Sequence, residues 1–181
     1  MKAVVFLADG FEECEALITV DILRRAGVET VMASVSGRAE VESSRSIWVR
    51  ADAPVSVIDF SSVDMVILPG GRLGTENMAA SETVTEQCRV FSRDKYVAAI
   101  CAAPRLLGKL GILDGKNATV YPGNEEHLKN AKYDSRAKAV TDGNVITARG
   151  MGYALEFGRE IVTALVDISK AKEVLEAVQS D

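Results

Sequence analysis

The chain has 181 residues, 48% of them apolar, which suits one domain spanning residues 1–181 that buries its core without staples. Its formal net charge is −5, from 21 Lys and Arg against 26 Asp and Glu, so no basic excess attracts phosphate and nucleic acid is not expected as a partner. Three dispersed cysteines and one histidine form neither a disulfide framework nor a zinc-type ligand set, so reduced thiols and no metal are expected.

Residues 2–8 form an apolar run suited to a strand buried on both faces. Asp9, Glu12, Glu13 and Glu15 follow at once, which argues against a signal peptide, and no apolar run reaches the length of a membrane span. A cytoplasmic location is therefore expected. Residues 12–26 read as a helix closed by Gly27, and Val28–Val35 as the second strand. Val41 and Ile47–Val49 suggest short strands outside the main sheet. Asp64–Leu68 is a buried strand running into Pro69-Gly70-Gly71. Ser81 suits the N-cap of a helix carrying Val84, Cys88 and Phe91.

Tyr96–Ile100 reads as a strand ending at Cys101, and Pro104–Leu110 as a helix with proline in its first turn. Asn117–Tyr121 is read as a short strand. Asp142-Gly143-Asn144 marks a hairpin between Lys138–Thr141 and Val145–Ala148, and residues 152–167 and 169–179 read as helices. Strands alternating with helices imply a mostly parallel sheet covered on both faces. Ligands of such sheets sit at the C-terminal strand ends. The three most unusual local sequences fall there: the acidic loop 9–15, Pro69-Gly70-Gly71, and Cys101-Ala102-Ala103-Pro104.

Cys101 lies between an apolar strand and a helix, so its sulfur is expected at the sheet rim near a positive helix end that lowers a thiol pKa. An inert core cysteine is the competing reading. A carboxyl from the acidic loop would reach the same rim and exchange protons with the sulfur. Spacing does not choose among Glu12, Glu13 and Glu15, and helix-dipole acids are the plain alternative. Glycine N–H groups at Gly70 and Gly71 can stabilise an oxyanion, or form an ordinary turn. His127 lies in a polar segment and reads as solvated, while Cys88 reads as core.

Taken together, D-G-F-E-E-C-E after the first strand, V-D-I-L-R-R-A-G, V-I-L-P-G-G, A-A-I-C-A-A-P and T-A-R-G resemble the ThiJ/PfpI superfamily. The resemblance is to the branch of the parkinsonism-associated protein deglycase and its bacterial relatives, and it runs from about Lys2 to Leu165. It implies an α/β, flavodoxin-like three-layer sandwich, usually a homodimer. It puts the nucleophile on Cys101, its carboxyl partner on Glu15, and the neighbouring amides on Gly70, Gly71 and Ala102. It implies an arginine crossing the dimer interface at Arg45 and a second interface arginine at Arg25. Two positions depart from the family pattern: Tyr121 stands where the family has histidine, and Met151-Gly152 replaces Pro-Gly.

The function this implies is cofactor-independent conversion of reactive α-oxoaldehydes such as methylglyoxal, glyoxalase- or deglycase-like, in carbonyl or oxidative stress. Tyr121 would then assist as a hydrogen-bond donor. A redox sensor or stress chaperone acting through oxidation of Cys101 needs the same surroundings. A cysteine amidase or protease needs a histidine base, and its position holds Tyr121.

Overall fold

The computed structural model describes residues 1–180. In chain order it contains β1 (Lys2–Leu7), α1 (Glu13–Arg25), β2 (Glu29–Ser34), β3 (Glu40–Glu42), β4 (Trp48–Arg50), β5 (Ala53–Pro54) and β6 (Met65–Leu68). Then follow α2 (Arg72–Ala80), α3 (Glu82–Asp94), β7 (Tyr96–Ile100), α4 (Pro104–Lys109), β8 (Asn117–Ala118) and β9 (Lys132–Tyr133). The chain closes with β10 (Ala139–Asp142), β11 (Val145–Ala148), α5 (Ala154–Leu165) and α6 (Ile168–Ala177).

Seven strands form the main sheet in the order β10-β11-β7-β6-β1-β2-β5. All neighbours are parallel except β10 and β11, which make the hairpin expected at Gly143. β1 shows how one strand builds two layers. Ala3, Val5 and Leu7 pack with residues of α1, α5 and α6. Val4 and Phe6 pack with Val84, Cys88 and Phe91 of α3 and with Leu106 and Leu107 of α4. Successive side chains of a strand point to opposite faces, so an unbroken apolar run is what a sheet covered on both sides requires. The result is the α/β three-layer sandwich. No helix among the described residues is long and apolar enough to cross a membrane.

Local signals set the ends of most elements. The Glu12 side chain accepts the Glu15 N–H at 2.7 Å and caps α1. Gly27, at φ +78°, closes α1 as its Val28 neighbour donates to the Leu23 carbonyl at 3.0 Å. Ser81 caps α3. Two sequence expectations change. The strand read over Asn117–Tyr121 is only Asn117–Ala118, paired with β9 in a separate small sheet. Residues 119–121 instead run toward the rim, where the Tyr121 N–H donates to the Cys101 carbonyl at 2.9 Å. And α2, unassigned from sequence, fills the stretch after Gly71.

The chain moves from β1 to β2 on one side and returns to β6 on the other, so β1 marks the topological switch point. The C-terminal ends of the adjacent strands β1, β6 and β7 therefore open onto one crevice.

Candidate active site

Cys101 sits at a sharp bend between β7 and α4 with φ +63°, a left-handed conformation unfavourable for a side chain other than glycine. Its backbone is pinned on both sides. Its N–H donates to Ala148 of β11 at 2.9 Å, and its carbonyl accepts from Tyr121. The Ala103 N–H closes the bend onto the Ile100 carbonyl at 3.0 Å. These bonds turn the thiol out of the sheet and into a cavity of about 990 Å³, which Glu15, Gly71, Ala102, Tyr121 and Arg45 also line.

The three acids of the first loop divide their tasks. Glu12 is spent on the α1 cap. Glu13 accepts the Ser44 hydroxyl at 3.3 Å. Glu15 turns inward and is 1% exposed. Its Oε2 accepts the Gly70 N–H at 2.8 Å, and Oε1 has no hydrogen-bond partner of ordinary geometry. The carboxyl also faces the Cys101 thiol and the Met151 N–H. Burial pushes its pKa up to about 7, helped by the charge of Glu12 and opposed by those donors.

This geometry redistributes the expected amides. The Gly70 N–H is committed to Glu15, so Gly70 positions the carboxyl and does not serve as an oxyanion donor. The N–H groups that face the sulfur are those of Gly71 and Ala102. A Cβ at Gly70 would lie 2.6 Å from the Cys101 Cβ and would overlap the Glu15 carboxylate as well, so this residue must be glycine for the pair to meet. Gly71, at φ +86°, has its backbone against Gly10 and Glu12.

The expectation of a lowered thiol pKa is also corrected. Burial and then the facing Glu15 charge push Cys101 up, and the two N–H donors only offset this. Carboxyl and thiol are one coupled unit that holds on to a proton. With that proton on Glu15, the repelling charge becomes a donor, and the Gly71 and Ala102 N–H groups then face a thiolate.

Tyr121 is half exposed at the rim, its ring packed near Gly150. His127 lies in the turn Glu125–Leu128, 3.6 Å from Glu126, and is not on the cavity wall. The structure thus brings no histidine to Cys101 to act as a protease base. Arg45 is exposed at the mouth of the cavity of its own chain, its Nη1 donating to the Ser44 carbonyl at 3.2 Å. Arg25 pairs with Asp21 one turn earlier on α1 at 2.6 Å. Sequence reasoning did not single out Arg72 and Arg105, which stand on the same wall as Ala102 and are taken up below. No group of three or more His, Cys, Asp or Glu among the described residues is placed to hold a metal ion.

Comparison with known proteins agrees with this architecture. Residues 1–164 match the DJ-1/PfpI family. The chain is 39% identical over 175 residues to the protein dj-1beta of Drosophila melanogaster, covering 96% of this chain and 94% of that one. The crystal structure of Drosophila DJ-1beta superposes with a TM-score of 0.95, covering 99% of this chain and 98% of that one at 37% identity. A protein of Pyrococcus abyssi named a deglycase is 32% identical, with 91% and 99% covered. The structure of oxidized Toxoplasma gondii DJ-1 gives a TM-score of 0.94 at 30% identity, with 99% and 98% covered. The chain belongs to the DJ-1/PfpI family.

Proposed function

We propose that this protein is a cofactor-independent cysteine enzyme acting on reactive α-oxoaldehydes such as methylglyoxal, glyoxalase- or deglycase-like, in the response to carbonyl or oxidative stress. One observation carries the reading: a strained cysteine, two inward N–H groups and a buried carboxyl of pKa about 7 meet in one open cavity.

The Cys101 sulfur attacks the aldehyde carbon, a C–S bond forms, and the aldehyde oxygen takes the proton held by the pair, giving a hemithioacetal. Glu15, now a carboxylate, removes the hydrogen on that carbon as a proton and delivers it to the adjacent carbonyl carbon, while the hydroxyl proton of the first carbon passes to the oxygen of the second. The first carbon is thereby oxidised to a thioester and the second reduced to an alcohol, with no outside electrons. Water cleaves the C–S bond, releasing the 2-hydroxy acid and restoring the thiol. The Gly71 and Ala102 N–H groups stabilise the oxyanions along this path, with Tyr121 a donor at the rim. A carboxyl of pKa about 7 suits both proton transfers at neutral pH.

Methylglyoxal consumption and lactate formation without added thiol test this in wild type, Cys101→Ser and Glu15→Gln. Lactate from wild type, lost in both variants, is the expected result. Absence of lactate from wild type overturns it. A homodimer belongs to the same proposal, and light scattering should give about twice the 19.4 kDa chain mass.

A second reading, redox sensing, is favoured by the buried, unpartnered Oε1 of Glu15: a cysteine sulfinate is ionised at neutral pH, and the protonated carboxyl would donate its O–H to a sulfinate oxygen. Two equivalents of peroxide would convert the thiol to the sulfinic acid and two waters. Intact-mass analysis should then find two added oxygens on Cys101, and their appearance at Cys14 instead would discard this reading.

A further inference from the structure

The cavity wall carries acids and bases of both signs, but they are not equally free. Asp9 is paired with Arg38, Glu12 caps α1, and Glu15 is bound to Gly70 beside the sulfur. Glu42 of β3 and Arg45 line the same cavity with opposite charges. The wall built from α2 and α4 differs. It presents Arg72 and Arg105, and both guanidiniums reach the one carboxylate of Glu76, at 3.5 and 3.4 Å. Glu76 itself is not on the cavity wall. Two cations sharing one carboxylate leave this trio with a net positive charge.

Arg105 is the better placed of the two. Its N–H donates to the Ala102 carbonyl at 3.3 Å, so it stands one turn beyond Cys101. Its side chain is only 13% exposed, and one terminal nitrogen is held by the Arg72 carbonyl at 3.1 Å. That bond fixes the guanidinium, and partial burial strengthens any charge it meets. Arg72 is fully splayed, with its side chain 88% exposed. A planar donor fork on the lining of the cavity that holds Cys101, sharing its one carboxylate with a second arginine, suits an anion.

From this we infer that Arg105, assisted by Arg72, selects α-oxoaldehydes that carry a carboxylate a few bonds beyond the ketone. The inference rests on the α-oxoaldehyde reading of the same cavity and gives it a substrate class. The model substrate is 4,5-dioxopentanoate, in which two methylenes separate the ketone from the carboxylate. The same steps add one water and yield 2-hydroxyglutarate, with the distal carboxylate held by Arg105 while Cys101 takes the aldehyde.

Two measurements separate failure of this inference from failure of the reaction. The first needs no turnover: the rate of Cys101 alkylation by iodoacetate divided by that by iodoacetamide. The sulfur displaces iodide in both, and only the reagent's charge differs. The ratio should fall about tenfold in Arg105→Gln, less in Arg72→Gln, and return in Arg105→Lys. A merely structural role for Arg105 would slow both reagents together and leave the ratio unchanged. The second is kcat/KM for 4,5-dioxopentanoate relative to methylglyoxal, which should favour the carboxylate in wild type and drop about tenfold in Arg105→Gln. An unchanged alkylation ratio in Arg105→Gln and in the Arg72→Gln/Arg105→Gln double variant overturns the inference even if methylglyoxal is turned over. A changed ratio without turnover of either aldehyde keeps the anion site and discards the enzyme reading and the substrate class with it.

Discussion

Helix α3 and the bend after β7 each hold a cysteine, and they treat it differently. Cys88 lies on the inner face of α3 against the sheet, 0% exposed, among Val84, Phe91 and the even residues of β1. Cys101 lies at the sheet rim, on a left-handed bend, between two N–H donors and a carboxyl. Burial raises both thiols, Cys88 to about 12 and Cys101 by burial and the Glu15 charge together. Resting acidity therefore does not tell them apart. What does is that the groups opposing Cys101 can be reversed by moving one proton. Nothing beside Cys88 changes charge in that way: its shift comes from burial, and burial is permanent.

The largest contrast is in activity. Cys101→Ala should lower the lactate-forming rate by about 10³-fold or more, because the bond-forming atom is gone. Cys88→Ala should change it by less than about twofold while costing about 1–2 kcal/mol of stability, as a small core cavity does. Chemical denaturation beside the rate assay reads both effects. A Cys88→Ala enzyme that folds normally yet is inactive would erase the distinction.

Gly70→Ala comes next. The added methyl overlaps the Glu15 carboxylate and sits 2.6 Å from the Cys101 Cβ, so carboxyl and thiol must separate. The rate should fall about 10²-fold, with a packing cost of about 1–3 kcal/mol. Gly27→Ala, at positive φ but with open space around its Cβ position, should lose stability alone. If Gly70→Ala kept full activity, coupling of the pair through this turn would be refuted.

Much of this was legible in the sequence, and the rest was hidden for physical reasons. The sandwich was readable because fully buried strand segments such as residues 3–7 are unbroken apolar runs, and because Gly27, Ser81 and Gly143 punctuate the elements. Cys101 was marked by an apolar strand before it and small residues after it. α2 was missed because it starts from Gly71 with no side-chain cap and carries Gly74 within. That glycine is needed where a Cβ would come within 2.6 Å of the Phe11 backbone, so a long-range contact overrides local helix propensity. The identity of the partner acid was unreadable from spacing, since Glu12, Glu13 and Glu15 share one turn and only the fold says which points inward. Gly70 and Gly71 were interchangeable in sequence, whereas adjacent peptide groups face different ways and only one N–H is left for the cavity.

The proton that distinguishes the two regions should also be visible in stability. Glu15 has a pKa of about 7 when folded against an ordinary value of 4.5. Between pH 4.5 and 7 the folded state binds more protons than the unfolded one, so this residue's contribution falls as pH rises. The loss should reach about 3 kcal/mol by pH 8. Glu15→Gln removes it. The unfolding free energy of the variant minus that of wild type should therefore climb across this window and level off above pH 7. Asp59, Glu125, Asp134 and Asp142, whose pKa values are lowered, act with the opposite sign in more acid solution and are common to both proteins. Parallel stability curves for variant and wild type would mean that Glu15 carries no such burden.

The smallest effect isolates the bend itself. A side chain at φ +63° costs on the order of 1 kcal/mol that glycine does not, set against the entropy glycine adds to the unfolded chain. Both Cys101→Ala and Cys101→Gly delete the sulfur, so their difference in stability reports the backbone alone. At an ordinary position the alanine variant would be the more stable by about 0.5–1 kcal/mol. At this bend the order should invert or vanish, with Cys101→Gly melting at or above the temperature of Cys101→Ala. The pinning bonds to Ala148 and Tyr121 remain in either variant, so beyond the Cβ itself the comparison reads the backbone. If alanine kept its usual advantage, strain would have no part in presenting the thiol, and the two N–H donors with Glu15 would be left as the whole difference between Cys101 and Cys88.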